Sequence, residues 1–330
     1  MGRQMQVFKL TNYFALALGT WLLAQPVAAS TAEPAGAAVS FAALQAAGSG
    51  NPAPVEALNA EDGTRLAYRS YAPRKPQAVL VFFHGDGAHS GAGYAHLARA
   101  LSERYAIAVI TPDLRGHGES DGSRGDAPKP AAVWDDISSM VALAQERFPD
   151  LPVFLGGHSS GAGLVLNYLA YPRHDAIDGV VMLAPELGPF ADTHRTGSRP
   201  FAKTQNSRLL VNALTGGKAF GSAPAVTFDY PLDALLKDQK LLTGYTVNMA
   251  NAVMPRKPAE MLAEVKVPLA MWVGTEDEII DPLKLATLLY VPGRDRVAEA
   301  VNGATHQSLL LRAADSVGPW LQQQATAVVH

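Results

Sequence analysis

A serine in a turn flanked by glycines is the residue of this sequence best suited to act as a nucleophile. Residues 152–155 form a short, mostly apolar run, residues 157–161 read Gly-His-Ser-Ser-Gly, and helical spacing follows. This order predicts a strand, a sharp turn and a helix, with Ser159 at the turn. Such a turn needs small residues and presents the hydroxyl near the positive end of the helix. We therefore predict Ser159 as the nucleophile.

The same Gly-x-Ser-x-Gly pattern occurs a second time, at residues 118–122, around Ser120. The residues that follow are polar and glycine-rich, and Pro128 and Pro130 lie just beyond, which predicts a loop. Because the pattern is specific only between a strand and a helix, we interpret Ser120 as a loop serine. Arg115 and His117, in the same loop, are interpreted as structural residues held by local hydrogen bonds.

A serine nucleophile needs a base, and the base needs an acid that orients it. An acidic run directly follows the apolar residues 269–273, so its carboxylates should lie at the carboxyl edge of a parallel sheet. We predict Asp277 as the acid. Three neighbouring carboxylates are alternatives: Glu276, Glu278 and Asp281.

The base is predicted from the histidines that follow this run, which are His306 and the terminal His330. A terminal residue cannot hold catalytic geometry, so we predict His306. Two backbone N–H groups should stabilise the oxyanion that forms during attack on a carbonyl. One is that of Ser160, and the other is that of Asp86, in the glycine-rich loop after the first buried strand.

These segments together resemble the α/β-hydrolases, in particular the lysophospholipase and monoacylglycerol-lipase-like branch, which overlaps with the serine aminopeptidase-like hydrolases. The matching segments are residues 84–87, 113–120, 157–161, 274–277 and the segment around His306. The resemblance implies a mostly parallel sheet flanked by helices, with an inserted cap. It also implies an acyl-enzyme mechanism that needs no metal or organic cofactor. Asp86 is a departure, since relatives often carry a small apolar residue there.

The order of apolar and amphipathic stretches predicts the same α/β class. Apolar runs alternate with helical patterns, which is typical of a parallel sheet with crossover helices. The alternation stops over residues 188–264, which we predict to be a cap insertion. The core is then discontinuous, with a first part at residues 55–187, beginning with a hairpin, and a second part at 265–330, ending in a helix.

The N-terminal region predicts export. Residues 1–29 contain basic positions, an apolar stretch and a small-residue cleavage site, as in a secretory signal peptide. This places the protein in the periplasm or outside the cell, and an N-terminal membrane anchor is the alternative. Residues 30–54, rich in Ala, Gly, Ser and Pro, are predicted to be a flexible linker, and the alternative is a loosely packed short helix around residues 41–45. The chain has no cysteine, which excludes disulfides and thiolate metal sites.

Composition limits the partners. The chain has 330 residues, 48% of them hydrophobic and 17% charged, with a formal net charge of −3, which argues against disorder and against a nucleic-acid surface. We expect a small-molecule ester as substrate. Apolar cap residues between 209 and 261 could cover an acyl chain or contact a lipid surface transiently, or simply pack the cap. The alternatives are a serine aminopeptidase-like peptidase and a non-catalytic binding protein.

Overall fold

The strands of the computed structural model, which describes residues 38–294 and 296–329, form a large sheet and a small sheet. In chain order the strands are β1 (Glu56–Asn59), β2 (Arg65–Tyr71), β3 (Ala78–Phe83), β4 (Ile107–Pro112), β5 (Val153–His158), β6 (Gly179–Leu183), β7 (Ala202–Thr204), β8 (Pro224–Phe228), β9 (Gly244–Thr246), β10 (Leu269–Gly274) and β11 (Arg296–Val301). The helices are α1 (Ala42–Ala47), α2 (Tyr94–Tyr105), α3 (Pro130–Arg147), α4 (Ser160–Leu169), α5 (Asn206–Leu214), α6 (Leu232–Lys237), α7 (Val247–Val253), α8 (Pro258–Glu264), α9 (Pro282–Leu289), α10 (Leu309–Arg312) and α11 (Ala314–Val329).

The large sheet has the strand order β1-β2-β4-β3-β5-β6-β10-β11. β1 and β2 form the predicted antiparallel hairpin, β2 is antiparallel to β4, and the remaining pairings are parallel. Every residue of β3 to β6 and of β10 is buried, as continuous apolar runs predict for strands covered on both faces. The predicted class, a mostly parallel sheet flanked by helices, is therefore confirmed.

Helices cover both faces of this sheet. Val79 and Val81 of β3 belong to the core under α3 and α4, whereas Leu80 and Phe82 belong to the core under α2, α10 and α11. This division follows from the alternation of side chains along a strand. Since β3, β5, β6, β10 and β11 are parallel, the loops after them reach the same edge, where the predicted site residues lie.

The predicted cap, residues 188–264, separates β6 from β10. It contains β7, β8 and β9, which form the small antiparallel sheet, together with α5 to α8. The strands of this sheet do not extend the large sheet.

Residues 38–54 differ from the predicted flexible linker. They include α1, and the side chain of Val39 is buried. The ring of Phe41 lies 6.1 Å from that of Phe201 and 5.3 Å from that of Tyr230, both in the cap. The composition predicts a linker because α1 is alanine-rich, and no residue of α1 is fully buried. Residues 38–49 are called the strap below.

The predicted signal peptide, residues 1–29, and residues 30–37 of the predicted linker lie outside the part of the chain that the structure describes. Within residues 38–294 and 296–329, no helix combines the length and the hydrophobicity needed to cross a bilayer.

Candidate active site

Ser159 lies at the turn between β5 and α4, with backbone angles φ 54° and ψ −124°, which a non-glycine residue rarely adopts. The turn is tight because β5 and α4 approach closely. A Cβ on Gly157 would lie 2.2 Å from the backbone of Gly161, and a Cβ on Gly161 would lie 2.5 Å from the carbonyl oxygen of Phe83. The two glycines therefore allow the turn that exposes the Ser159 hydroxyl at the sheet edge.

His306 and Asp277 lie beside this serine. The Nε2 atom of His306 is 3.1 Å from the Oγ atom of Ser159, and its Nδ1 atom is 2.9 Å from the Oδ2 atom of Asp277. Because an ionised carboxylate can only accept hydrogen bonds, Nδ1 carries a proton and donates a hydrogen bond to Asp277. This leaves Nε2 free to accept a hydrogen bond from the serine hydroxyl. The structure thus brings the three predicted residues into one hydrogen-bonded chain.

Charge and burial act in opposite directions on this pair. Burial lowers the pKa of His306, but the Asp277 carboxylate, with Glu278 nearby, outweighs it and holds that pKa above its ordinary value. Burial raises the pKa of Asp277, but the His306 ring and the N–H groups of residues 280 and 279 outweigh it and hold it below its ordinary value. The pair therefore favours a charged acid and a basic imidazole.

The alternative carboxylates make other contacts. Glu278 accepts hydrogen bonds from the backbone N–H groups of Ser40 and His306, at 2.9 and 3.0 Å, and no bond from the imidazole ring is found for it. Asp281 caps the N-terminus of α9. Glu276 is exposed on the surface. Among the described residues, Asp277 is the carboxylate in contact with the His306 ring.

Sequence reasoning missed Arg195 as a support of the acid. Its guanidinium donates to the backbone carbonyls of Asp277 and Thr275, the latter at 2.8 Å. Arg195 holds the loop that carries Asp277, whereas Arg199, also in the cap, forms an ion pair with Asp229. No sequence signal marks this role, because carbonyl groups are common to every residue.

Ser160 and Asp86 are the residues predicted to supply the oxyanion N–H groups, and Asp86 lines the same cavity as Ser159. Ser160 is the first residue of α4, so its N–H has no acceptor within the helix. Asp86 lies in the loop after β3, and within residues 38–294 and 296–329 no acceptor is found for its N–H. Both N–H groups are thus available to an oxyanion.

Three tyrosine hydroxyls hold the loop that contains Asp86. Tyr94 of α2 accepts from the N–H of Gly85 at 2.8 Å. The other two tyrosines belong to the cap. Tyr230 donates a hydrogen bond to the carbonyl of Asp86 at 2.6 Å, and Tyr245 accepts one from the N–H of Gly87 at 2.8 Å. The cap therefore fixes the backbone of the loop that supplies the second N–H group.

The loop with the second motif is structural. The Ser120 hydroxyl donates to the carbonyl of Asp113 at 2.7 Å and accepts from the N–H of Ala67 at 2.8 Å. Arg115 forms two 2.6 Å hydrogen bonds with Asp136 of α3, and His117 contacts Tyr245 of the cap at 2.9 Å. Arg115 and His117 are therefore held partly by distant residues, which the expectation of local bonds did not include.

Asp86 lines the cavity next to Ser159. Burial raises its pKa to about 7, while the Ser160 hydroxyl lowers it, Glu186 raises it and the His306 ring lowers it. Asp86, which stands where relatives often carry a small apolar residue, thus places a carboxyl group with a pKa of about 7 beside the predicted oxyanion site.

A cavity of about 240 Å³ opens beside Ser159 and His306. Its walls are mainly apolar and come from three parts of the chain: the loop after β3 with the start of α2, the cap and the strap. The cap contributes Phe201, Tyr230 and Leu241 among others. Several apolar cap residues considered for an acyl chain lie elsewhere: Leu210 and Leu236 are exposed, and Met249 and Val253 are buried in the core.

The sheet order, the turn at Ser159 and the placement of His306 and Asp277 define an α/β-hydrolase. The sequence profile of the family described as serine aminopeptidase, S33 (Hydrolase_4) matches residues 74–310, and the chain belongs to this family.

Two relatives and one solved structure illustrate the similarity. Human monoglyceride lipase is 29% identical over 252 residues, which cover 74% of this chain and 80% of that protein. An uncharacterized abhydrolase domain-containing protein of Dictyostelium discoideum is 27% identical over 263 residues, 75% of this chain but 25% of that longer protein. A soluble variant of Saccharomyces cerevisiae monoglyceride lipase superposes with a TM-score of 0.64 at 18% identity, covering 83% of this chain and 96% of that one, which shows the fold alone.

Proposed function

We propose that this serine carboxylic-ester hydrolase cleaves esters with one aliphatic acyl chain, of the monoacylglycerol or lysophospholipid kind. The observation that carries the proposal is the hydrogen-bonded chain Asp277–His306–Ser159 at the base of a mainly apolar cavity of about 240 Å³. Sites that enclose drug-sized ligands usually measure about 300–1,000 Å³. A cavity of about 240 Å³, just below this range, suits one short or medium chain better than two chains.

The proposed reaction follows from the positions of the protons. His306 accepts the proton of the Ser159 hydroxyl as the serine oxygen attacks the ester carbonyl, and Asp277 stabilises the imidazolium. The N–H groups of Asp86 and Ser160 stabilise the oxyanion. His306 then gives the proton to the leaving alcohol, an acyl-enzyme forms on Ser159, and water activated by the same histidine releases the acid.

The names of the relatives support ester hydrolysis, whereas the description of the family keeps an aminopeptidase as the alternative. The charged amino terminus of a peptide substrate would need an ionised carboxylate in the cavity. Four carboxylates of the cap each pair with a basic side chain: Asp192 with Lys284, Asp229 with Arg199, Asp233 with Lys237 and Asp238 with His89. Asp86 lines the cavity, but burial raises its pKa to about 7, which disfavours its charged form, and the walls are mainly apolar. Ester hydrolysis is therefore the better supported function. The hydrogen-bonded chain of Asp277, His306 and Ser159 argues against a binding protein without activity.

Hydrolysis of p-nitrophenyl esters of graded acyl length and of 1-monoacylglycerols, beside aminoacyl-anilides, tests this proposal. We expect ester cleavage with an optimum at a short or medium chain and little anilide cleavage. Preferential cleavage of the anilides would support the peptidase instead. Absence of turnover together with absence of fluorophosphonate labelling would support a non-catalytic protein.

The pH dependence is expected to be bell-shaped. Protonated His306 cannot accept a proton, and its pKa is raised, so kcat/KM should fall on the acid side with a midpoint above the ordinary value of about 6.5. The Asp86 carboxyl, with a pKa of about 7, loses its proton on the alkaline side and then opposes the oxyanion. Activity against a neutral p-nitrophenyl ester should therefore decline again above about pH 7.

The variant Asp86→Asn isolates this second effect, since the amide resembles the protonated carboxyl in size and carries no charge. We expect the alkaline decline to disappear and the acid decline to remain, with activity at pH 9 several-fold above that of the wild type. An unchanged profile in this variant would show that Asp86 does not oppose the oxyanion.

A further inference from the structure

The strap, residues 38–49, forms a wall of the substrate cavity. Its side chains of Val39, Phe41, Leu44 and Gln45 line the same cavity as Ser159 and His306. The match to the family covers residues 74–310, so this wall comes from a part of the chain outside the family's shared region. The strap therefore adds a feature to the site that the fold itself does not supply.

The first part of the strap is connected to the catalytic loops. Its Ser40 N–H donates to one oxygen of Glu278, and the other oxygen of the same carboxylate accepts from the N–H of His306. The ring of Phe41 packs on Tyr230, whose hydroxyl donates to the carbonyl of Asp86. Phe41 and Ser40 thus place the strap against the loop that contains His306 and the loop that contains Asp86.

The second part of the strap and the residues after it are bound to α2. His96 donates to the carbonyl of Gly48 at 3.0 Å, and Arg99 donates to the carbonyl of Asn51 at 2.9 Å. Gly93, which caps α2 with φ 87°, leaves room for Leu44, because a Cβ at this position would lie 2.6 Å from the leucine side chain. The position of Leu44 in the cavity is therefore defined by α2.

One side-chain nitrogen of the strap has no hydrogen-bond partner among the residues that the structure describes. The Nε2 atom of Gln45 is buried beside the cavity, and in the described part of the chain no acceptor is found for it. A buried N–H group without an acceptor is unfavourable. A bound ester, with its carbonyl and alcohol oxygens, is a ligand that could supply the missing acceptor.

We propose that the strap is the specificity-determining wall of the acyl site, with Leu44 limiting the length of the acyl chain that the enzyme accepts. The inference rests on the proposed ester hydrolysis and extends it. The apolar side chains of Phe41 and Leu44 are complementary to an aliphatic chain, and the hydrogen bonds on both sides of α1 keep them in place. A bulkier residue at 44 should shorten the accepted chain, and a smaller one should lengthen it.

The test compares three full-length variants on p-nitrophenyl esters from acetate to dodecanoate. Leu44→Trp fills the cavity, Leu44→Ala enlarges it, and Ala43→Trp is the matched control, because Ala43 is exposed on the same helix. We expect Leu44→Trp to lower kcat/KM on the longest esters that the wild type accepts by about tenfold or more beyond its effect on acetate, whereas Ala43→Trp should keep the wild-type chain-length profile. Leu44→Ala should move the optimum to longer chains.

The outcomes separate this inference from the proposed function. If the wild type hydrolyses esters but both Leu44 variants keep the chain-length profile of Ala43→Trp, the strap does not determine specificity. If the wild type hydrolyses no ester at all, the proposed function itself is wrong. Fluorophosphonate labelling of each variant shows that its nucleophile is assembled, and if Leu44→Trp fails to label, the shift in Leu44→Ala decides.

Discussion

Replacing Ser159 by alanine is expected to lower kcat for p-nitrophenyl esters by about 10⁴- to 10⁶-fold, as loss of the nucleophile does in other serine hydrolases. The substitution removes the hydroxyl that lies 3.1 Å from Nε2 of His306 and leaves the cavity in place. Binding should therefore be nearly unchanged, and the loss should appear in kcat. Steady-state kinetics with a short-chain ester measure both parameters.

The matched control is Ser120→Ala, in the second copy of the motif. This hydroxyl bonds to the backbone of Asp113 and Ala67, so its loss should reduce stability by about 1–3 kcal/mol and leave kcat of the folded enzyme largely intact. Thermal denaturation recorded beside the kinetics separates the two effects. Equal losses of kcat in both variants would contradict the assignment of Ser159.

Replacing Asp277 by asparagine is expected to lower kcat by about 10⁴-fold, because the amide should impose the wrong tautomer on His306. The orientation of the amide is dictated by the backbone. Oδ1 of Asp277 accepts from the N–H groups of Ile279 and Ile280, at 2.9 and 2.8 Å, so the amide oxygen must stay there. The NH₂ group then faces Nδ1 of His306, which has to accept, and Nε2 carries the proton instead.

Glu278→Gln is the control for this variant. Its carboxylate contacts backbone N–H groups of Ser40 and His306 and not the imidazole, so we expect kcat to change by less than about tenfold. A loss of kcat caused only by a changed histidine pKa should vanish at high pH, where the imidazole is neutral. The wrong tautomer persists in the neutral ring, so we expect the loss in Asp277→Asn to diminish less than that at high pH. A large loss of kcat in Glu278→Gln with a small loss in Asp277→Asn would show that Asp277 is not the acid that orients His306.

The residues that the sequence could locate are those whose neighbours have a strong local pattern. Ser159 follows a buried strand and precedes a helix; the strand is visible as a short continuous apolar run and the helix as apolar residues at helical spacing. Asp277 and His306 follow β10 and β11 in the same way. The rule that parallel strands bring their carboxyl ends to one edge then predicts that these side chains are close.

The strap and Arg195 could not be located in this way, because tertiary contacts alone define them. Residues 42–47 have a linker-like composition, and their position depends on the ring of Phe41 and on a hydrogen bond from Ser40 to Glu278. Arg195 donates to backbone carbonyls 80 and 82 positions away in the chain. Sequence spacing carries no information about such partners.

The most direct test of the central claim, an acyl-enzyme on Ser159, is peptide mapping by mass spectrometry after reaction with a fluorophosphonate. The reagent forms a stable bond with an activated serine oxygen, so the modified peptide identifies the nucleophile. We predict a single adduct at Ser159 that appears in parallel with the loss of ester hydrolysis and is absent from Ser159→Ala. An adduct at Ser120, or full inhibition with Ser159 unmodified, would contradict the account.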